Sequence, residues 1–173
     1  MTRREALAAA AFLGSALAFE RPQRASASAR TLEPILAYGD WLGVRPTAES
    51  LEGRVVLVDV FTFACYNCQN VTPNLRALHR TKPTSDLVIL GVHTPETPYE
   101  RDLPNVVANL KRLGITWPVA IDNSNALWNA YGIEYWPTQM IFDRNGRLHT
   151  TIIGDSQDAD VDRAVAALVS SRT

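Results

Sequence analysis

Residues 55–68, Val-Val-Leu-Val-Asp-Val-Phe-Thr-Phe-Ala-Cys-Tyr-Asn-Cys, decide the fold of this 173-residue chain. The continuous apolar run predicts a buried strand over 55–61, and the helical spacing of the apolar residues that follow predicts a helix over about 66–80. Cys65 and Cys68 therefore stand at the start of a helix, directly after a central strand.

This position gives the two cysteines a specific chemistry. Two intervening residues let the sulfurs of Cys65 and Cys68 close a small disulfide ring. The unpaired N–H groups and partial positive charge of a helix N-terminus favour a thiolate on the first sulfur. Because the thiolate is the form that attacks a disulfide, we predict that Cys65 is the nucleophile and Cys68 the resolving cysteine.

Two other uses of a Cys-x-x-Cys pair fit this chain less well. A structural zinc site needs four ligands, and beyond the two cysteines the sequence offers only His79, His93 and His149, without the paired spacing of a zinc finger. A purely structural disulfide across four residues would restrain little of the unfolded chain's entropy. The pair is therefore interpreted as redox-active.

Asp59 and two prolines surround the cysteines at defined spacings. Asp59 turns either toward solvent at a sheet edge or into the core. The apolar run around it favours burial, where a raised pKa suits a proton acceptor for Cys68. Pro73 is predicted to kink the helix rather than end it, because the apolar face continues on both sides of it. Pro137 is either a turn proline or, after Trp136, a cis-proline.

These spacings resemble thioredoxin. In that family an acid lies buried beneath the disulfide, a proline kinks the active-site helix, and a cis-proline faces the disulfide and exposes backbone that pairs with the substrate chain. The resemblance implies that Asp59 serves the cysteines and that the substrate contacts Tyr66, Asn67, Trp136 and Pro137. Trp136 is bulky and either restricts access to the disulfide or fills the core beside it.

The rest of the chain predicts one α/β domain over residues 30–173, with a central mixed sheet covered by helices on both faces and closed by an antiparallel edge. Residues 41–53 are predicted to be a lead-in segment and turn. Further strands are predicted over 86–92, 117–122, 139–142 and 148–153, with a hairpin turn over 143–146. Further helices are predicted from Pro104 to Gly114, over 125–131 and after about residue 158, with Val106, Val107, Leu110 and Leu113 on one apolar face of the first.

Cys65 and Pro137 lie 72 residues apart, about one strand–helix unit more than the simplest thioredoxin layout. With residues 51–59, 91–96 and 128–132, this insertion resembles the exported TlpA-like thioredoxins, and above all the thioredoxin modules of DipZ-type proteins. The resemblance implies a thiol-disulfide oxidoreductase of exported proteins with no cofactor beyond its own redox-active disulfide. DipZ-type proteins also carry a membrane electron-transfer portion that this sequence lacks, so a separate membrane thiol electron donor is expected.

Residues 1–29 have the composition of an export signal. Arg3-Arg4, an apolar stretch and a run of small residues ending at Ala29 are typical of a cleavable signal, and the first residues resemble a twin-arginine signal with Ala6 in place of the usual phenylalanine. We expect a protein of the periplasm or cell envelope, free or held by an uncleaved N-terminal anchor. Without residues 1–29 the number of basic residues falls from 17 to 13 and that of acidic residues from 18 to 16. This slightly acidic balance does not favour binding to nucleic acid.

The direction of the redox reaction and two other functions remain open from the sequence. Tyr66-Asn67 supplies no cation to stabilise a thiolate, unlike the Pro-His of DsbA-type oxidants, and this favours a reductant over an oxidant or isomerase. Thr62 stands three residues before Cys65, as in a peroxiredoxin, but the proline that this motif needs is Val58 here. A thiol-based metal carrier is the non-enzymatic alternative.

Several other polar and aromatic residues are interpreted as structural. His93 and Glu96 follow a strand and could relay protons, but a histidine at a strand end is more often part of the packing, and Glu96 could cap the next turn. Trp117, Trp128 and Tyr131 are predicted to belong to the core.

Overall fold

A six-stranded mixed sheet forms the centre of the protein. The computed structural model describes residues 30–171; the predicted export signal lies outside them. The strands are β1 (Trp41–Leu42), β2 (Val55–Phe61), β3 (Leu87–His93), β4 (Val119–Ile121), β5 (Thr138–Phe142) and β6 (Leu148–Ile153). The helices are α1 (Glu33–Ala37), α2 (Ala48–Leu51), α3 (Tyr66–Thr81), α4 (Leu103–Leu113), α5 (Ala126–Tyr131) and α6 (Asp158–Ser170), with a short 3₁₀ helix at Pro98–Arg101.

The strands follow the order β1-β4-β3-β2-β5-β6. β2, β3 and β4 are parallel, whereas β5 and β6 run antiparallel to their neighbours. Between β3 and β5 the chain adds the predicted strand–helix unit. The predicted α/β sheet with helices on both faces is therefore confirmed.

Alternate residues of β2 face two separate cores. Leu57 and Phe61 pack with buried residues of α3, α4 and α6, whereas Val58 and Val60 pack on the other face with residues of α1 and α5. Because side chains alternate along a strand, Asp59 points to the same face as Leu57, the face that α3 covers.

The structure corrects the prediction for the segment before β2. Trp41 and Leu42 form an edge strand that pairs antiparallel with Ala120 and Val119 of β4, where the sequence predicted only a lead-in and a turn. Two residues are too few to carry an alternating apolar pattern, so this strand exists only because β4 offers it a partner.

Helices α3 and α4 have about their predicted lengths, but one residue of α4 that was predicted to be buried is exposed. α3 continues through Pro73 and buries Val71, Leu75 and Leu78. α4 ends at Gly114, which adopts a left-handed conformation with φ of 68°. Val107 was predicted on the buried face of α4 but is 48% exposed.

We predict that Gly91→Ala weakens the centre of the sheet. A Cβ atom on Gly91 would lie 3.0 Å from Val119 Cγ2 and 3.1 Å from Phe61 Cε1, so these two buried side chains would have to shift within the packed core. Overpacking of this kind costs about 1–3 kcal/mol of the free energy of unfolding, measured by urea denaturation. Gly39→Ala is the control, since nothing lies within 4 Å of its Cβ position. An equal effect of the two substitutions would contradict the prediction.

Candidate active site

Cys65 is the N-cap residue of α3, as the sequence predicted. Its Sγ accepts a hydrogen bond from the backbone N–H of Cys68, with 3.2 Å between the sulfur and the nitrogen. The side chain of Cys65 is only half-buried, and the two sulfurs are not joined by a disulfide bond. The first sulfur is therefore accessible and receives an N–H group of the kind that stabilises a thiolate.

Cys68 lies one turn deeper and belongs to the core. Its side chain is 2% exposed and packs in the apolar cluster beneath α3. Burial raises the pKa of the Cys68 thiol, and the hydrogen bond to Cys65 and the charge of Asp59 raise it further. Cys68 is thus a thiol that needs a proton acceptor before it can attack.

Asp59 is a buried carboxyl group beneath this pair. It is 1% exposed, which excludes the solvent-facing alternative, and its Oδ1 atom has no hydrogen-bond partner among residues 30–171. The pKa of Asp59 is raised to about 7, because the effect of burial exceeds that of a hydrogen bond with Gln139, its partner on β5, which lowers the pKa. Near neutral pH this carboxyl group is therefore able both to take up and to release a proton.

The Trp136-Pro137 peptide bond is cis and precedes β5. Because Thr138 pairs with Val60, the bond lies at the sheet end where β2 leads to Cys65. Pro137 is buried, and its carbonyl oxygen accepts a hydrogen bond from the N–H of Gly154 at 2.9 Å. The Pro137 carbonyl oxygen is thus occupied, whereas the backbone of Trp136 forms no backbone hydrogen bond within residues 30–171.

Trp136 is half-buried and packs, as Cys65 does, against the apolar cluster that contains Cys68. Its ring also meets that of Trp128, with the two centroids 4.3 Å apart. It thus fills the core beside the dithiol. Trp117 and Tyr131 are buried as predicted.

Tyr66 and Asn67 lie on the outside of the dithiol turn. Tyr66 is 76% exposed, and Asn67 is exposed as well. Both side chains are placed where a docked protein would meet them, so their role as substrate contacts stays a prediction that the geometry permits.

Glu100, in the 3₁₀ helix, is a residue of this site that the sequence analysis missed. Its carboxylate is fully buried and accepts hydrogen bonds from the hydroxyl group of Thr62 and from the backbone N–H of Ala64, at 3.4 Å for the latter. It also accepts from both the N–H and the hydroxyl group of Thr97 in a capping box. The pattern Thr97-Pro98-Tyr99-Glu100 is a sequence signal that could have identified this cap.

The positions of His93 and Glu96 fit a structural role better than a proton relay. His93 is fully buried and stacks on Phe63, with centroids 5.3 Å apart, and burial lowers its pKa to about 4. It is neutral at physiological pH, in agreement with the packing interpretation. Glu96 is exposed, and the predicted cap at Glu96 is wrong because Glu100 fills that role.

The alternatives to dithiol chemistry gain no support from the geometry. Within residues 30–171, no group of three or more His, Cys, Asp or Glu side chains is arranged to hold a metal ion. The Thr62 hydroxyl group, which would serve the cysteine of a peroxidase, donates to Glu100 instead. A surface cavity of about 940 Å³ is lined by α1, α2 and the turn after β5, and it includes neither cysteine.

A family profile described as thioredoxin-like matches residues 53–148, which contain the dithiol, Asp59, Glu100 and Pro137. The chain belongs to the thioredoxin-like family.

Individual relatives confirm the resemblance to DipZ-type and TlpA-like thioredoxins. The chain is 36% identical over 107 residues to protein DipZ of Mycobacterium tuberculosis, a match covering 62% of this chain and 15% of DipZ. It is 28% identical over 117 residues to the thiol-disulfide oxidoreductase YkuV of Bacillus subtilis, covering 67% of this chain and 78% of YkuV. The chain thus matches only about a seventh of the length of DipZ.

A solved structure supports the fold independently. A thiol-disulfide isomerase from Corynebacterium glutamicum superposes with a TM-score of 0.71 at 24% identity, covering 79% of this chain and 95% of that one. No helix within residues 30–171 is long and apolar enough to cross a membrane.

Proposed function

We propose that this thioredoxin-like protein reduces disulfide bonds in exported proteins. The observation that carries the proposal is the pairing of an accessible Cys65 sulfur at a helix N-terminus with a buried Cys68 thiol above a buried carboxyl group. This arrangement separates a nucleophile that meets the substrate from a second thiol that acts only after a proton has been removed.

The proposed reaction proceeds through two exchanges. The Cys65 thiolate attacks one sulfur of the substrate disulfide, the S–S bond breaks, and the other substrate sulfur leaves as a thiolate that takes a proton from water. Asp59 then accepts the proton of Cys68, and the Cys68 thiolate attacks Cys65. The second substrate sulfur leaves as a thiolate and is protonated, Asp59 gives up the proton that it accepted, and two electrons have passed from the dithiol, now a disulfide, to the substrate.

The reducing direction is supported by what surrounds the dithiol. Tyr66 and Asn67, the two residues between the cysteines, contribute no positive charge. A thiolate without a neighbouring cation is less stable, and this favours the disulfide form and a low reduction potential.

Export and the electron donor also belong to this proposal. The composition of residues 1–29 supports export to the periplasm or cell envelope. Each turnover leaves a Cys65–Cys68 disulfide, so a continuing reductant needs a dithiol donor, which for an exported protein we expect to be a membrane protein.

The reduction potential of the Cys65/Cys68 pair tests the direction. We expect the full chain, equilibrated with thiol buffers and counted by mass after alkylation, to have a potential near the roughly −270 mV of thioredoxin. A potential near the roughly −120 mV of DsbA would make the protein a disulfide donor and would contradict the proposal.

A further inference from the structure

The first residues of β3 form an unpaired stretch of sheet edge. β4 is the neighbour of β3 on this side, but the register between the two strands begins only at Gly91, which pairs with Val119. The Gly91 N–H donates to the Pro118 carbonyl oxygen at 2.9 Å, so the odd-numbered residues of β3 direct their backbone groups toward β4. Residues 87–89 therefore have no strand beside them on the β4 side.

Ile89 carries the unpaired backbone groups of this edge. It is 2% exposed, and neither its N–H nor its C=O has a hydrogen-bond partner among residues 30–171. A longer β4 in the same register would place Trp117 opposite Ile89 and would need an N–H at position 118, which proline lacks. Because buried backbone groups are nearly always paired, the two groups of Ile89 call for a partner at this edge.

A cavity of about 220 Å³ lies along the unpaired edge. It is lined by residues 87–90 of β3, by Pro118 and by residues 44–46 of the segment between β1 and α2. Its volume is below the roughly 300–1,000 Å³ of typical small-molecule sites. An extended piece of polypeptide matches it better, because such a segment supplies both a donor and an acceptor to an open strand edge.

The charged residues that line the cavity have one sign. Arg45, Arg54 and His79 line it, and no Asp or Glu does. Arg54 is half-buried and forms no ion pair or side-chain hydrogen bond within the part of the chain that the structure describes. Arg45 donates from one guanidinium nitrogen to the Leu36 carbonyl oxygen at 2.7 Å and pairs with no carboxylate there. The two arginines therefore complement an acidic segment.

The edge lies at the opposite end of the sheet from the dithiol. Leu87 begins β3 and His93 ends it, about 20 Å further along the strand. His93 is the register partner of Phe61, the last residue of β2 before the loop to Cys65. A segment bound beside residues 87–89 thus leaves the Cys65 sulfur accessible.

We propose that residues 87–89 are a docking site for an extended, acidic segment of a partner protein, which adds to the sheet beside β3. The segment accepts a hydrogen bond from the Ile89 N–H, donates one to the Ile89 C=O, and places a carboxylate against Arg45 and Arg54. This inference goes beyond the proposed reductase function and does not depend on it, since no redox step is involved.

Binding of short capped peptides to the isotope-labelled full chain tests the docking site. The two probes have alternating threonine and charged residues, with glutamate in one peptide and lysine in the other. We expect the glutamate peptide to bind about tenfold more tightly, or better, at low ionic strength. Saturation with it should slow the hydrogen exchange of the Ile89 N–H about tenfold or more, while the Gly91 N–H, already bonded to Pro118, stays unchanged.

Arg54→Glu reverses one charge of the cavity without breaking a side-chain contact within residues 30–171. It should weaken binding of the glutamate peptide about tenfold and leave reduction of a small fluorescent disulfide unchanged. Arg147→Glu, an exposed position just before β6, makes the same change of charge at the other edge of the sheet and should bind the peptide as the wild type does.

Four results would overturn the inference: no binding of the glutamate peptide at about 1 mM, equal affinity for the two peptides, binding that leaves Ile89 exchange unchanged, or an equal loss in Arg147→Glu. If Arg54→Glu does not fold, the comparison of the two peptides on the wild type still decides. The reduction potential of the dithiol bears on the proposed function alone and peptide binding on the docking site alone, so the two proposals fail separately.

Discussion

Cys65→Ser abolishes thiol–disulfide exchange, whereas Cys68→Ser leaves the first exchange intact and accumulates a mixed disulfide with the substrate. The expected loss in Cys65→Ser is about 1,000-fold or more, because a serine hydroxyl group at neutral pH does not supply the thiolate that attacks a disulfide. In Cys68→Ser the half-buried Cys65 sulfur still reaches the substrate, but the buried thiol that would release it is gone.

Reduction of a peptide that carries a fluorescent disulfide measures the first result, and intact-protein mass spectrometry detects the trapped adduct in the second. The two variants are matched controls for each other, since each keeps one thiol at the same turn of α3. A Cys65→Ser protein with wild-type activity, or adducts on Cys68 in the wild type, would reverse the assignment of the two roles.

Asp59→Asn is expected to raise stability at alkaline pH while it slows the release step. The folded protein holds the pKa of Asp59 at about 7, above the ordinary value of 3.8 expected in the unfolded chain. Between these values the folded state binds more protons, so the free energy of unfolding falls as the pH rises from about 4 to 7 and is constant above that. The raised pKa of Asp59 lowers the free energy of unfolding by at most about 4 kcal/mol, and the substitution by asparagine removes this loss.

Urea denaturation of the reduced protein at pH 4 and pH 8 measures this difference. Asp59→Asn should gain several kcal/mol over the wild type at pH 8 and close to nothing at pH 4. Asp40→Asn, at an exposed position, is the control and should show no such pH-dependent gain. A gain of the same size at both pH values would mean that folding does not raise the pKa of Asp59.

The same variant tests the proton role of Asp59 in the reaction. Loss of a positioned proton acceptor typically costs 10²- to 10⁴-fold, so release of the mixed disulfide by Cys68 should slow by about 100-fold or more. Attack by Cys65 should change much less. Stopped-flow measurement of the two half-reactions separates them, and equal slowing of both would argue against a dedicated role for Asp59.

Patterns within short stretches predicted the parts of this protein that depend on local physics. The apolar run of β2, the helical periodicity of α3 and the glycine at the end of α4 each reflect a preference of consecutive residues, and all three are present. Burial of Asp59 was predictable for the same reason, because its neighbours in β2 are all apolar. The cysteine spacing and the apolar strand before it were sufficient to predict a dithiol at a helix N-terminus.

Features that join distant segments were decided only by the tertiary structure. The edge strand at Trp41 exists through pairing with Ala120, and Glu100 reaches the loop before Cys65 from 36 residues further along the chain. The exposure of Val107 likewise depends on which neighbours α4 meets. Local sequence determines which residues prefer strand, helix or turn, because those preferences arise from nearby backbone and side-chain contacts. It does not determine that Glu100 accepts hydrogen bonds from the loop before Cys65, because that contact forms only when the sheet brings the ends of β2 and β3 together.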